Sequence, residues 1–128
     1  MAKKKVVLDT NVLIALYRNR KAVYDYAKTM SIDEVFITHP TYIEFLAGAK
    51  VENKRFIKSF LQNFQLLSFD AKSEIASKTL ATQNQITGKG KCTDLLIASI
   101  CIANGMAIVT ANVSDFTFTN LEVIKYIV

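Results

Sequence analysis

Four carboxylates in this chain stand where a plain hydrophobic core would not place them. Asp9 interrupts the run VVLDTNVLIALY, and Glu44 lies in YIEFLAG with apolar neighbours on both sides. Asp94 opens the apolar stretch DLLIASICIA, and Asp115 lies in TANVSDF. A lone buried carboxylate is costly unless it is paired or holds a metal. Hard divalent cations take oxygen ligands, and Mg²⁺ typically combines a few carboxylates with water and substrate phosphate. Four converging carboxylates would repel one another without a metal, protons or a nearby cation. The expected chemistry is therefore cation-assisted and directed at an anionic substrate. Zinc chemistry is not expected, because Cys92, Cys101 and the single histidine, His39, form no ligand pattern.

Each acid also has a simpler reading. Glu44 would serve as a solvated helix residue, on a face shared with Pro40, Thr41, Ala47 and Gly48. Asp94 would cap a helix or sit at the positive end of its dipole. Asp115 would make an Asx turn. Asp9 is the hardest to explain this way, and the set of four is more specific than any member.

The elements that must position these acids follow from hydrophobic patterning. Residues 6–8, 35–38, 66–69, 107–110 and 123–127 read as short buried strands. Between them, helices are expected at 11–18 (capped by Thr10 or Asn11), at 20–30, and at 40–49 with Pro40 in the first position. Further helices are expected at 52–64, from a cap at Asp70 or Ser73 to about residue 85, and at 94–103, closed by Asn104-Gly105. Phe56, Phe60 and Phe64 are expected to face the core or, alternatively, a subunit interface, His39 to cap a helix or lie on the surface, and ITGKGKCT to form a loop. Short buried strands alternating with helices imply a parallel sheet covered on both faces, with ligands in the crevice beyond the strands' carboxyl ends. Asp9 directly follows the first of those strands, and Asp115 lies shortly after the fourth.

Composition bounds the rest. The 128 residues, half of them apolar, suit one globular domain over 1–128. The basic start MAKKK carries too few apolar residues for a secretory signal, and no apolar run approaches a membrane span. With only two cysteines, Cys101 reading as a core residue, the expected location is the cytoplasm. Sixteen Lys and Arg face 11 Asp and Glu, for a net charge of +5. If four acids serve a metal, the remaining surface is more basic still, as suits a phosphodiester held by its backbone. Candidate phosphate contacts are Arg18, Arg20, Lys21, Lys50, Lys54, Lys89 and Lys91.

DTNVLI at 9–14, the isolated Glu44, DLLIAS at 94–99 and TANVSDF at 110–116 resemble, in order and spacing, the PIN-domain pattern. Length and style resemble the VapC-type toxin ribonucleases of toxin–antitoxin pairs. The resemblance implies an α/β/α sandwich around a mainly parallel sheet of four to five strands. It also implies an Mg²⁺- or Mn²⁺-dependent endoribonuclease site in which Asp9, Glu44, Asp94 and Asp115 are the catalytic and metal-binding quartet. Asn11 and Thr110 would orient ligands or water, and Asn112 fills a position sometimes acidic in relatives. An RNA substrate, a cognate antitoxin and a homodimer are the implied partners. Two other readings keep the fold: a PIN nuclease of RNA maturation, or a PIN module that binds without catalysis. A haloacid-dehalogenase-like phosphatase would need a second Asp at position 11, which is Asn here.

Overall fold

The computed structural model describes residues 4–29 and 32–126. Five strands form one sheet: β1 (Lys4–Leu8), β2 (Ile32–Thr38), β3 (Gln65–Leu67), β4 (Ala107–Thr110) and β5 (Val123–Lys125). Their order is β3-β2-β1-β4-β5, and every pairing is parallel. Six helices connect them: α1 (Thr10–Arg18), α2 (Arg20–Thr29), α3 (His39–Gly48), α4 (Lys54–Leu61), α5 (Ala71–Gln83) and α6 (Lys91–Ala103). The expected α/β class with a covered parallel sheet is what the chain forms.

The period-2 alternation of the central strands divides the core in two. Val6, Leu8, Ile37, Ala107 and Val109 face one layer, where they meet Val12 and Leu13 of α1, Val23 of α2, Phe45 of α3, and Ile57, Phe60 and Leu61 of α4. Val7, Phe36 and Ile108 face the other layer, against Leu80 of α5, Leu95, Ile97, Ala98 and Cys101 of α6, and Phe116. Val6–Leu8 of β1 and Ala107–Val109 of β4 are buried on both faces, and these stretches are continuously apolar. Among the described residues, no helix is long and apolar enough to cross a membrane.

Several boundaries differ from those expected. Asp9 itself, not Thr10 or Asn11, caps α1. Thr38 caps α3, its hydroxyl accepting from the Thr41 N–H, so Pro40 takes the second helical position and His39 is exposed. The expected helix at 52–64 is a 3₁₀ turn, Val51–Asn53, followed by α4 ending at Leu61. On α4 the buried stripe is Ile57, Phe60 and Leu61, which leaves Phe56 at 59% exposure under the Arg55 guanidinium. At about 100° per residue, Ile57, Phe60 and Leu61 fall within one arc about 100° wide, and Phe56 lies roughly 40° beyond its edge. Phe60 is in the core as expected, with Phe64 packed edge-on against it.

The third strand lies one residue earlier than read and stops at Leu67, leaving Phe69 outside it. Helix α6 begins at Lys91, so Lys91, Cys92 and Thr93 belong to the helix and not to the preceding loop. Gly90, at φ 79°, makes the turn into α6, a left-handed conformation that suits glycine. Asp70 caps α5 as anticipated, its carboxylate accepting from the N–H and hydroxyl of Ser73. The expected ends of α2 at Met30 and of β5 at Ile127 lie outside the described residues.

The candidate metal centre

The chain runs from β1 to β2 and β3 on one side of the sheet and to β4 and β5 on the other. The strand order therefore reverses between β1 and β4, and a crevice opens there at the carboxyl edge. Asp9 ends β1 at this point. Its N–H still pairs with the Val109 carbonyl at 2.9 Å, while its own carbonyl accepts from Val12 and Leu13 to start α1. One residue thus closes a strand and opens a helix, which fixes its carboxylate firmly. Asp9 is 7% exposed.

Two donors satisfy that carboxylate. Oδ1 accepts from the Thr10 N–H and Oδ2 from the Thr110 hydroxyl, both at 2.8 Å. Thr110 is fully buried at the end of β4. Its hydroxyl oxygen accepts from the Asn112 N–H at 3.0 Å and the Asn11 side-chain amide at 3.4 Å. With both lone pairs occupied, its single proton is directed to Asp9. Asn11 completes the latch by accepting from the Ala111 N–H. Asn11, Thr110 and Asn112 are therefore gathered around Asp9.

Asp9, Glu44 and Asp94 line one cleft of about 660 Å³. Asn11, Ile14, Tyr17 and Arg18 of α1, Glu44, Phe45 and Gly48 of α3, then Lys50, Asn53 and Ile57 enclose it, and Asp94 reaches it from α6. Thr10 and Thr41 hydroxyls meet at 3.4 Å and tie α1 to α3, the helix that carries Glu44. Asp94 does not cap α6, since Gly90 occupies that position and no side chain supplies a cap bond.

The electrostatics single out Asp94. Burial, then the charges of Asp115 and Asp9, raise its pKa to about 6; Glu44 adds to the rise and Lys91 opposes it. Asp9 is also raised, chiefly by burial, against the lowering effect of its bonds to Thr110 and Thr10, with Glu44 and Asp115 repelling it. Asp9 and Asp94 therefore each feel the charges of Glu44 and Asp115. Asp115, however, stands outside the cleft wall, where its Oδ1 accepts from Lys91 Nζ at 2.5 Å.

Among the described residues, no group of three His, Cys, Asp or Glu side chains is arranged to hold a metal by itself. What the cleft offers a cation is the Asp9 and Asp94 carboxylates with Glu44 beside them, an all-oxygen set. Water and substrate phosphate would complete its shell, which is the usual habit of Mg²⁺. The raised Asp94 carries a charge that a cation in the cleft would relieve.

The seven candidate phosphate contacts separate. Arg18 and Lys50 line the acidic cleft. Arg20 and Lys21 line a separate apolar groove, with the Arg20 guanidinium over the Phe60 ring. Lys54 donates to the Leu46 and Ala47 carbonyls at the end of α3, Lys89 is exposed in the loop, and Lys91 holds Asp115. Sequence reading missed the lining role of Tyr17 and Asn53, and no pattern in the sequence marks either.

The Thr110 latch has a direct test. Thr110→Val keeps the shape but leaves buried Asp9 with one donor and strands the Asn112 N–H. We expect a stability loss of about 1–3 kcal/mol, read as a melting temperature lower by roughly 5 °C or more. Thr110→Ser, which keeps the hydroxyl, should recover most of it. Equal melting of all three proteins would contradict the latch.

A parallel α/β fold with an acidic crevice at its switch point defines the class of protein. A family model for the PIN domain matches residues 6–117, and the chain belongs to that family. Solved structures share the fold. VapBC2 from Rickettsia felis, solved bound to a promoter DNA fragment, is 24% identical with a TM-score of 0.77, covering 96% of this chain and 99% of that one. DNA-bound VapBC from Salmonella typhimurium is 20% identical with a TM-score of 0.74, covering 97% and 98%. A toxin–antitoxin complex from Klebsiella pneumoniae is 20% identical with a TM-score of 0.71, covering 91% and 98%. No curated protein sequence matches the chain at a significant level.

Proposed function

We propose that this PIN domain is a metal-dependent endoribonuclease and the toxin of a toxin–antitoxin pair. The observation that carries the nuclease reading is the Asp9–Asp94 pair in one cleft, with Asp94 raised to about 6 among like charges while Arg18 and Lys50 line the same space. Such a site attracts a cation into its floor and an anionic backbone along its walls.

Asp9 and Asp94 would hold Mg²⁺ or Mn²⁺, with Glu44 a ligand directly or through water. When bound, the ion supplies Lewis acidity to the phosphoryl group and lowers the pKa of a water for in-line attack. The chain's own residues do the rest. Arg18 and Lys50 bind the phosphate backbone. The Thr110–Asn11–Asn112 latch holds Asp9 fixed, so little reorganisation accompanies reaction. Glu44, the most solvent-open of the cleft acids, accepts the proton lost by the attacking water. The expected products are a 5′-phosphate and a 3′-hydroxyl.

The toxin reading draws its support from the family and from the Klebsiella pneumoniae toxin–antitoxin complex of like fold. The antitoxin partner and a homodimer belong to that same reading. Purified protein should cleave single-stranded RNA with Mn²⁺ or Mg²⁺ and stop on addition of EDTA, and its expression should arrest growth until the adjacent gene product is supplied. RNA binding without metal-dependent turnover would favour a binding module. Turnover without growth arrest would favour an RNA-maturation nuclease.

A further inference from the structure

Asp115 is the acid that the cleft does not use. Its charge reaches both Asp9 and Asp94, yet its carboxylate is committed to Lys91 at 2.5 Å. Lys91 is the first residue of α6 and Asp94 the fourth, so the two lie on neighbouring faces one turn apart. The placement of Lys91 is built by the loop before it. Gly88 and Gly90 both have left-handed φ, 104° and 79°, and the Lys91 stem passes 3.9 Å from where a Gly88 Cβ would stand. An ordinary surface ion pair contributes little and has no such neighbours. This one is only about a third exposed on each side, at 35% and 32%, and faces a second acid, Asp94, whose charge Lys91 also offsets.

We propose that Lys91 is a resident cation that takes the place of a second metal ion: by holding Asp115, it restricts the acidic centre to one divalent ion on Asp9 and Asp94. This rests on the nuclease reading of the cleft. Lys91 is thus a positioning residue, acting through Asp115 and through the local charge. With the lysine in place the centre carries three uncompensated carboxylates. Without it there are four, and Asp115 is free to join a second ion.

Calorimetric titration of the full chain with Mn²⁺ near neutral pH tests this on four proteins: the parent, Lys91→Gln, Lys91→Arg and Asp115→Asn. The parent and Lys91→Arg should take up one ion per chain. Lys91→Gln should take up a second ion, or bind the first about tenfold more tightly, because one positive charge beside the site is gone. Asp115→Asn should keep one ion, because Asp115 is not a ligand of the first, but should bind it several-fold more weakly, because a negative charge beside Asp94 is gone. In EDTA near pH 8, where activity plays no part, Lys91→Gln should melt below the parent and Asp115→Asn should not. Circular dichroism of each variant confirms that it is folded. Lys91→Gln binding one ion at parental affinity, two ions on the parent, or loss of the ion from Asp115→Asn would each overturn the inference. If the parent binds Mn²⁺ and cleaves RNA while Lys91→Gln titrates identically, only the lysine inference fails. If the parent takes up no Mn²⁺, the nuclease reading fails and the inference falls with it.

Discussion

Asp9→Asn and Asp94→Asn should each lower RNA cleavage by about 10³-fold or more, but they should affect stability in opposite directions. The catalytic loss follows from the proposed ligand role. A metal ion contributes several kcal/mol of charge stabilisation in the transition state, and each factor of ten in rate corresponds to about 1.4 kcal/mol. The stability effects follow from what each carboxylate touches. Asp94 sits half-buried among like charges, and its amide replacement removes a charge that the fold disfavours. Metal-free Asp94→Asn should therefore melt above the parent at neutral pH, as expected when a site is built for function at a cost in stability. Asp9 is different because both its oxygens accept hydrogen bonds, from Thr10 and from Thr110. An amide offers one acceptor, so its NH₂ would face a Thr110 hydroxyl whose own lone pairs are filled. Asp9→Asn should lose about 1–2 kcal/mol through that mismatch. Cleavage assays paired with thermal melts in EDTA separate the cases. Full activity in both variants would remove the cleft from the chemistry, and identical melting shifts would refute the electrostatic distinction.

The second large effect is a stabilisation by metal that sets in as pH rises. The ordinary Asp value is 3.8, and Asp94 in the fold stands at about 6. A raised carboxyl binds its proton more tightly in the folded than in the unfolded chain, so its contribution to stability is present below the unfolded value and is lost as pH rises through about 6. Asp9, also raised, contributes with the same sign. Asp70 is lowered by its cap bonds to Ser73, and its opposite contribution is lost only at pH below the ordinary Asp value, outside this window. In EDTA, the melting temperature of the parent relative to Asp94→Asn should therefore fall between about pH 4 and 6. Divalent ions bind the ionised carboxylates, so Mn²⁺ should restore stability above pH 7 and do little at pH 5. At a metal concentration about 100 times its Kd the gain is roughly 2.7 kcal/mol, or about 10 °C in melting temperature. A parent-minus-variant difference that is flat with pH, or Mn²⁺ stabilisation as large at pH 5 as at pH 8, would contradict the assignment.

How much of this could be read from the residues alone depends on the range of each interaction. Asp9 was legible because an apolar β-branched run broken by an acid is a local signal with few inexpensive explanations. The strand–helix alternation, and with it the crevice rule, was legible for the same reason. The expected Asn104-Gly105 stop also stands, with Gly105 at φ 65° closing α6. Helix starts were less legible. Asp9 caps α1 in place of its neighbours because the residue that ends β1 must also accept the first helical bonds, and that double duty appears only when β4 is in place. Phe56 is exposed because, although it stands four residues before Phe60, it lies just beyond the arc that Ile57, Phe60 and Leu61 bury, and a periodicity count does not resolve that edge. The pairing of Lys91 with Asp115 spans 24 residues and depends on two left-handed glycines, so no sequence spacing announces it. The gathering of Thr110, Asn11 and Asn112 around one carboxylate depends likewise on β1 lying beside β4.

The central claim is that Asp9 and Asp94 together form the seat of a divalent ion. The most direct measurement is an anomalous difference map from crystals of the parent protein soaked in Mn²⁺ near pH 8. The account predicts one peak within ligand distance of both the Asp9 and Asp94 carboxylates, at about 2.0–2.3 Å from their oxygens, with Lys91 still on Asp115. A map without density between Asp9 and Asp94, or with manganese bound elsewhere on the chain while that pair stays bare, would contradict it.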